Sequence, residues 1–182
     1  MKIESTGFEG LLVLQPKVFN DARGFFMESF NEREFKEIGI VVKFTQDNQS
    51  HSVKNVIRGL HFQKGPFAQT KLVRILYGVI LDVVVDLRKN QPTFGQACIT
   101  ELSADNKKQI LIPKGFAHGF AVLSETAGLF YKCDEYYNPK ADAGLYYNDS
   151  KLNIEWRVKD SEAIVSEKDK VLPKLSELTN LF

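Results

Sequence analysis

The chain has 182 residues, 43 % hydrophobic and 26 % charged, with 24 Lys and Arg against 23 Asp and Glu for a formal net charge of +1. That is the composition of one globular domain, 1–182, long enough to bury a substantial core. The charges are scattered, which excludes a clustered basic footprint for nucleic acid; no apolar run reaches the roughly 18 residues of a membrane span; and Met1-Lys2-Ile3-Glu4-Ser5 lacks the apolar stretch of a secretory leader, so a cytoplasmic protein is expected.

Leu11 to Leu14 reads as a strand stopped by Pro16, and Phe25 to Phe30 as another after the turn-like Asn20-Asp21-Ala22-Arg23-Gly24. Asn31 to Glu37 is the first helix the sequence predicts: Asn31 suits its N-cap, Glu34 stands three residues on as in a capping box, and Gly39 ends it. From there to about residue 135 short apolar runs alternate with Gly, Pro, Asn and Ser. Strands are predicted over 56–62, 71–77, 79–87, 97–102, 109–112, 119–123 and 128–132. Many short strands at regular spacing predict a sandwich or barrel, and fourteen Phe with six Tyr agree with sheet. Residues 169–178 carry a weak helical pattern interrupted by Pro173. Cys98 and Cys133, with no CxxC spacing, read as reduced core thiols.

The run 79–87 alternates. Leu81, Val83, Val85 and Leu87 share one face; Asp82, Val84 and Asp86 share the other. Two carboxylates on an otherwise apolar face mark either the wall of a polar cavity or a solvated outer surface. Nearby, Arg58-Gly59-Leu60-His61-Phe62-Gln63 and Lys71 place an imidazole and cations on neighbouring strands. Histidine titrates near neutrality and is the natural general base, and the cations suit a substrate that is anionic or becomes so.

A second histidine, His118, stands in Pro113-Lys114-Gly115-Phe116-Ala117-His118-Gly119-Phe120. A Pro-x-Gly-x-x-His turn between strands is an element of the cupin double-stranded β-helix. Metal cupins carry His-x-His and a later Glu in the first motif; here Gln63 stands two beyond His61, and Lys64-Gly65-Pro66-Phe67 supplies no carboxylate. A first-row metal needs three or four N/O ligands, and two His fall short, so no metal site is predicted.

Asp21-Ala22-Arg23-Gly24-Phe25-Phe26-Met27-Glu28, Gln46-Asp47-Asn48-Gln49-Ser50, the Arg58 to Gln63 run, Lys71-Leu72-Val73-Arg74, Pro92-Thr93-Phe94-Gly95, Ile112 to Phe120, Tyr131-Lys132 with Tyr137, and Ser166-Glu167-Lys168-Asp169 together resemble the dTDP-4-dehydrorhamnose 3,5-epimerases, from about residue 10 to 175 and in order. The resemblance implies a mainly β cupin jelly roll with short peripheral helices. It also implies a homodimer without metal or organic cofactor, acting on dTDP-4-dehydro-6-deoxy-D-glucose to give the L-rhamnose-configured 4-keto sugar, for dTDP-L-rhamnose and cell-surface polysaccharide. An N-terminal strand such as 11–14 is a candidate to extend a partner's sheet.

The resemblance makes His61 the base and Asp169 its carboxylate partner, with Asp82 a rival for that pairing. It sets Lys71 at the C4 oxygen and makes Tyr131 the acid that returns a proton on the opposite face. Arg23 and Arg58 match diphosphate-holding positions. Glu28, Gln46 and Asn48 match nucleotide and sugar contacts; Tyr137 matches the ring that stacks on thymine; His118 and Lys168 match further substrate contacts. Asp142 stands where the family commonly has Glu, one methylene longer, and Tyr136 beside Tyr137 leaves the stacking ring open. The nearest rival is a relative that epimerises C3 or C5 alone. A metal-dependent cupin oxygenase would need a third ligand, and a non-catalytic sugar-nucleotide-binding module would not need base, carboxylate and phenol together.

Overall fold

The computed structural model describes residues 1–179 and 181–182. In chain order its elements are β1 (Lys2–Ser5), β2 (Leu12–Gln15), β3 (Val18–Asp21), β4 (Gly24–Met27), α1 (Glu32–Glu37), β5 (Gln46–Val53), β6 (Val56–Gln63), β7 (Lys71–Tyr77) and β8 (Val79–Asp86). They continue with β9 (Ala97–Ser103), β10 (Gln109–Ile112), β11 (Phe116–Val122), β12 (Thr126–Cys133), β13 (Asp142–Gly144), β14 (Ile164–Val165) and α2 (Glu167–Lys170). One sheet runs β1-β2-β10-β7-β12-β5. The facing sheet runs β13-β6-β11-β8-β9, with β14 added in parallel to β6. This is the expected mainly β jelly roll with two short helices at its periphery. Among the described residues no helix is long and apolar enough to cross a membrane.

Strand parity explains the layers. Ile80 and Val84 of β8 join Val13, Val73, Ile75, Ile110, Phe120 and Leu129 in the core between the sheets. Leu81, Val83 and Val85 point the other way, into a second core roofed by Leu145, Leu152 and Trp156. A strand buried on both faces must be apolar on both, which is why β8 reads as a near-continuous hydrophobic run. Asp82 and Asp86 thus face the barrel interior, fully buried. Asp86 is consumed by Arg88 and Thr93, with Arg88 Nη2 at 2.7 Å and Thr93 Oγ1 at 2.6 Å.

On the outer face of the first sheet, α1 buries Phe35 among Leu14, Leu72 and Leu111. Six residues are too few for a helix to persist alone. Its Asn31 cap, which accepts from the N–H groups of Arg33 and Glu34, and the burial of Phe35 hold it; such burial contributes about 1.5–3 kcal/mol. The tail follows the sequence pattern less closely. Its helix spans only 167–170, starting two residues before the expected 169, with a separate 3-10 turn at Leu175–Glu177 beyond Pro173.

Three departures bear on the site and its surroundings. The strand expected over 25–30 ends at Met27 and forms, with β3, a hairpin paired to neither sheet. The strand expected over 11–14 is β2, held between β1 and β10, so it has no free edge to offer a partner. The sequence pattern did not predict β5; it is one edge of the first sheet, with β1 at the other.

Candidate active site

Between the sheets lies a cavity of about 640 Å³. The first sheet contributes Asn48, Ser50, Lys71, Leu129 and Tyr131; the second contributes Arg58, His61, His118 and Phe120; the segment 164–169 forms one rim. β5 carries Asn48, Ser50 and Ser52 at alternate positions beside β12, where Asn48 pairs in register with Tyr131. β7 sets Lys71 directly across from Cys133 of β12.

In the second sheet His61 of β6 and His118 of β11 are register partners. Two glycines make their close approach possible. A Cβ on Gly59 (φ +115°) would lie 2.7 Å from Gly119 Cα, and one on Gly119 would lie 2.6 Å from the Arg58 carbonyl. At these contacts only glycine fits without backbone movement.

Each histidine has its own aspartate. His61 Nε2 lies 3.0 Å from Asp169 Oδ1, and His118 Nε2 lies 2.7 Å from Asp82 Oδ2. The rivalry between Asp169 and Asp82 for His61 therefore resolves to Asp169. Asp169 sits in α2, whose N-cap Ser166 accepts from the Asp169 N–H at 3.1 Å, and its Oδ2 accepts from the Gly59 N–H at 3.2 Å. Burial alone would raise the Asp169 carboxyl; His61, the Gly59 amide and Ser166 outweigh it and hold the group below its ordinary range. An ionised carboxylate only accepts, so the His61 proton sits on Nε2 and the lone pair on Nδ1, which is buried and has no protein hydrogen-bond partner.

On the opposing sheet burial pushes the Tyr131 phenol up, so it stays protonated at neutral pH. Burial also pulls the Lys71 ammonium below its usual value, partly offset by the carboxylates of Asp82 and Asp142. Its Nζ lies 5.9 Å from the centre of the Tyr131 ring. Cys133, opposite Lys71, is buried and its thiol is pushed up to about 11 by that burial. It is therefore a neutral neighbour of Lys71. Cys98 and Cys133 are both free, on β9 and β12.

A hydrogen-bonded arc borders the cavity. Gln46 Nε2 donates to Asn48 Oδ1 (2.9 Å), Gln46 Oε1 accepts from the Tyr137 N–H (3.0 Å), and the Tyr137 hydroxyl donates to Asp142 Oδ2 (3.4 Å). Lys168 donates to the same Asp142 oxygen. The arc begins and ends at cavity-lining residues and brings Gln46, Tyr137 and Asp142 to the rim. Arg58 is oriented by Ser52 Oγ (3.0 Å) and the His51 carbonyl (3.2 Å).

Arg23 and Glu28 are not brought to this cavity within one chain. Arg23 is turned outward with its side chain 89 % exposed, paired to Asp21 at 2.6 Å, and Glu28 bonds Asn31 at 3.2 Å. Sequence reading also missed supporting groups: Ser52 behind Arg58, Ser166 behind Asp169, and Cys133 beside Lys71. The Ser166-x-x-Asp169 spacing was a usable N-cap signal. Among the described residues no three His, Cys, Asp or Glu side chains gather as a metal site would require.

A jelly roll that sets a carboxylate-oriented imidazole on one inner wall and a protonated phenol with a half-buried ammonium on the other is an isomerase scaffold of the cupin type, suited to proton transfer beside a carbonyl. Comparison with known proteins narrows this class. A family model described as dTDP-4-dehydrorhamnose 3,5-epimerase matches residues 5–177. The Escherichia coli K12 dTDP-4-dehydrorhamnose 3,5-epimerase is 51 % identical over 182 residues, covering 100 % of this chain and 98 % of the relative. The crystal structure of dTDP-6-deoxy-D-glucose-3,5-epimerase from Legionella pneumophila Philadelphia 1, in complex with dTDP-4-keto-L-rhamnose, superposes with a TM-score of 0.93 at 44 % identity, covering 98 % of this chain and 94 % of that one. A Streptomyces niveus dTDP-4-dehydrorhamnose 3-epimerase is 35 % identical over 157 residues, 86 % of this chain and 76 % of the relative. The chain belongs to the dTDP-4-dehydrorhamnose 3,5-epimerase family.

Proposed function

We propose that this chain, as one cupin domain over 1–182, inverts C3 and C5 of dTDP-4-dehydro-6-deoxy-D-glucose to give dTDP-4-dehydro-L-rhamnose by proton transfer alone. The observation that carries the reading is the placement of His61 and Tyr131 on opposite inner walls of one cavity, with Lys71 beside the phenol. Inversion needs a proton removed from one face of the sugar ring and returned on the other.

The His61 imidazole takes the proton from the carbon next to the C4 ketone. The electron pair of the broken C–H bond moves to the C4 oxygen, where the Lys71 ammonium stabilises the enolate. The enolate then takes the Tyr131 hydroxyl proton at carbon on the far face, and solvent restores both side chains before the second carbon reacts. Asp169 holds the imidazole in the required tautomer and supports its charge, as carboxylates do in other His–Asp pairs. Arg58 serves the diphosphate through its guanidinium fork. Asn48, Gln46, Tyr137, Asp142 and Lys168 form the nucleotide rim, and His118 is a further sugar contact. The higher identity to a double epimerase than to the 3-epimerase favours reaction at both carbons.

The active unit is a homodimer. A lone two-stranded hairpin is marginal in water, yet β3–β4 carries Phe19, Phe25 and Phe26 exposed, together with Arg23 and Glu28. β5 beside the cavity is an unpaired sheet edge that a second copy's hairpin can cover, which would deliver Arg23 and Glu28 to the neighbour's cavity. A nucleotide-sugar substrate favours a cytoplasmic location for the reaction.

Proton NMR in deuterated water with dTDP-4-dehydro-6-deoxyglucose tests the reading. Deuterium entering at both C3 and C5 of the inverted product is expected. Label at one carbon would make the enzyme a single-position epimerase, and label at neither would reject both.

A further inference from the structure

Residues 134–141 follow β12 without regular secondary structure and carry the exposed rings of Tyr136 (63 %) and Tyr137 (56 %). Exposed loops of this kind open locally unless their backbone groups are held. Here glutamine side chains hold them. Gln69 Nε2 donates to the Glu135 carbonyl (2.8 Å), and Gln46 Oε1 accepts from the Tyr137 N–H (3.0 Å). Gln63 does the most. Its Nε2 donates to the Phe67 carbonyl (2.7 Å) and the Tyr136 carbonyl (3.1 Å), and its Oε1 accepts from the Asn138 N–H (2.6 Å).

Gln63 is only 4 % exposed, so these bonds form away from competing water. Both its donors and one acceptor site are used, and its bonds bracket Tyr137 on either side along the chain. No ionised carboxylate can replace it, because the site requires donors and an acceptor from one group. Gln63 also lies two residues beyond His61 on the same strand, so the clamp is anchored to the wall that carries the imidazole.

We infer that Gln63 is a positioning residue for nucleotide recognition: it fixes the backbone around Tyr137 so that the ring stands ready to stack on the base of a nucleoside diphosphate. The inference rests on the reading of Tyr137 as the base-stacking ring. A preformed ring binds more tightly than one that must be ordered by the ligand. The bond from Gln46 ties the same loop to Asn48 at the cavity.

The test measures calorimetric Kd for dTDP and for inorganic pyrophosphate, which lacks a base, in the wild type, Gln63→Met, Tyr137→Ala and the double variant. Tyr137→Ala is expected to weaken dTDP about tenfold or more, the worth of one stacked base. Gln63→Met should weaken dTDP about three- to tenfold, a part of that stacking contribution, and leave pyrophosphate affinity unchanged. Because Gln63 acts through the ring, the double variant should lose no more than Tyr137→Ala alone. Full dTDP affinity in Gln63→Met, equal weakening of pyrophosphate, or losses that add would each overturn the inference while leaving Tyr137 in place. Full dTDP affinity in Tyr137→Ala would instead remove the stacking reading and the inference with it. If Gln63→Met does not fold, amide hydrogen exchange on the wild-type enzyme decides: protection of the Asn138 N–H before dTDP is added supports the clamp, and unprotected exchange overturns it.

Discussion

His61 Nε2 stands 3.0 Å from Asp169 Oδ1, and that carboxylate also accepts from the Gly59 N–H two residues before His61. The aspartate therefore fixes both the ring and the strand that carries it. Asp169→Asn keeps the shape but allows the amide to donate, which favours the tautomer with its proton on Nδ1 and removes the base. Deuterium wash-in at C3 and C5 should fall about 10²- to 10⁴-fold, with dTDP affinity nearly unchanged. Wild-type exchange in this variant would detach Asp169 from the mechanism.

Acid stability should depend on Asp86. Burial would raise this carboxyl, but Arg88, Thr93 and the Arg88 amide outweigh it and hold the pKa below the ordinary range. A depressed folded-state pKa gives stability that is complete above the unfolded value of about 3.9 and is lost as pH falls through the lower folded value. Asp86→Asn should cost about 3 kcal/mol at pH 7, near the lower end for a broken buried pair because Arg88 retains some water contact. Urea melts from pH 7 to pH 2 should show that difference shrinking below about pH 4. A gap that persists unchanged at pH 2 would contradict the assignment.

How much of this was legible depended on whether neighbours were local. β8 declared itself through an apolar run broken only by Asp82 and Asp86 on one face, and α1 through Asn31 and Gly39. β5 did not, because its inner positions line a polar cavity and its outer positions are exposed; with both faces polar there is no hydrophobic period to read. His61, Lys71 and Tyr131 could be placed on strands, but which aspartate meets which histidine depends on long-range strand order and on α2 folding back over β6. The resemblance supplied Arg23 and Glu28 as contacts, while their place on a hairpin outside both sheets was invisible without coordinates.

That hairpin makes oligomeric state measurable by one substitution. Phe26 is 64 % exposed on β4. Phe26→Asp puts a charge where a partner would have to desolvate it, while the barrel it projects from is untouched. Sedimentation should show a dimer for the wild type and a monomer for the variant. The variant should also bind dTDP more weakly, since Arg23 and Glu28 would no longer reach the neighbouring cavity. A monomeric wild type with full activity would refute the shared site.

Lys71 separates stability from function. Among the described residues its ammonium forms no ion pair, and burial lowers its pKa. Lys71→Met removes a charge the fold has to desolvate, so the urea midpoint should hold or rise. Turnover should fall about 10²- to 10³-fold, the scale for losing one electrostatic stabiliser of a developing oxyanion. Equal losses of stability and turnover would mean that Lys71 acts through structure alone.

Tyr131 and His61 stand on opposite walls of the cavity, so under the proposed mechanism their loss should have different signatures. In Tyr131→Phe the base remains and can return a proton to the face it came from, after exchange with solvent. Recovered substrate should therefore become deuterated while inverted product falls about 10²- to 10⁴-fold, the usual contribution of a general acid. His61→Ala should instead abolish both labelling and inversion. Burial holds the Tyr131 phenol above its ordinary pKa, so the wild-type donor stays protonated through neutral pH and loses activity only in strong alkali. Unimpaired product formation by Tyr131→Phe would show that the proton arrives from another group, and the opposed-wall mechanism would have to be abandoned.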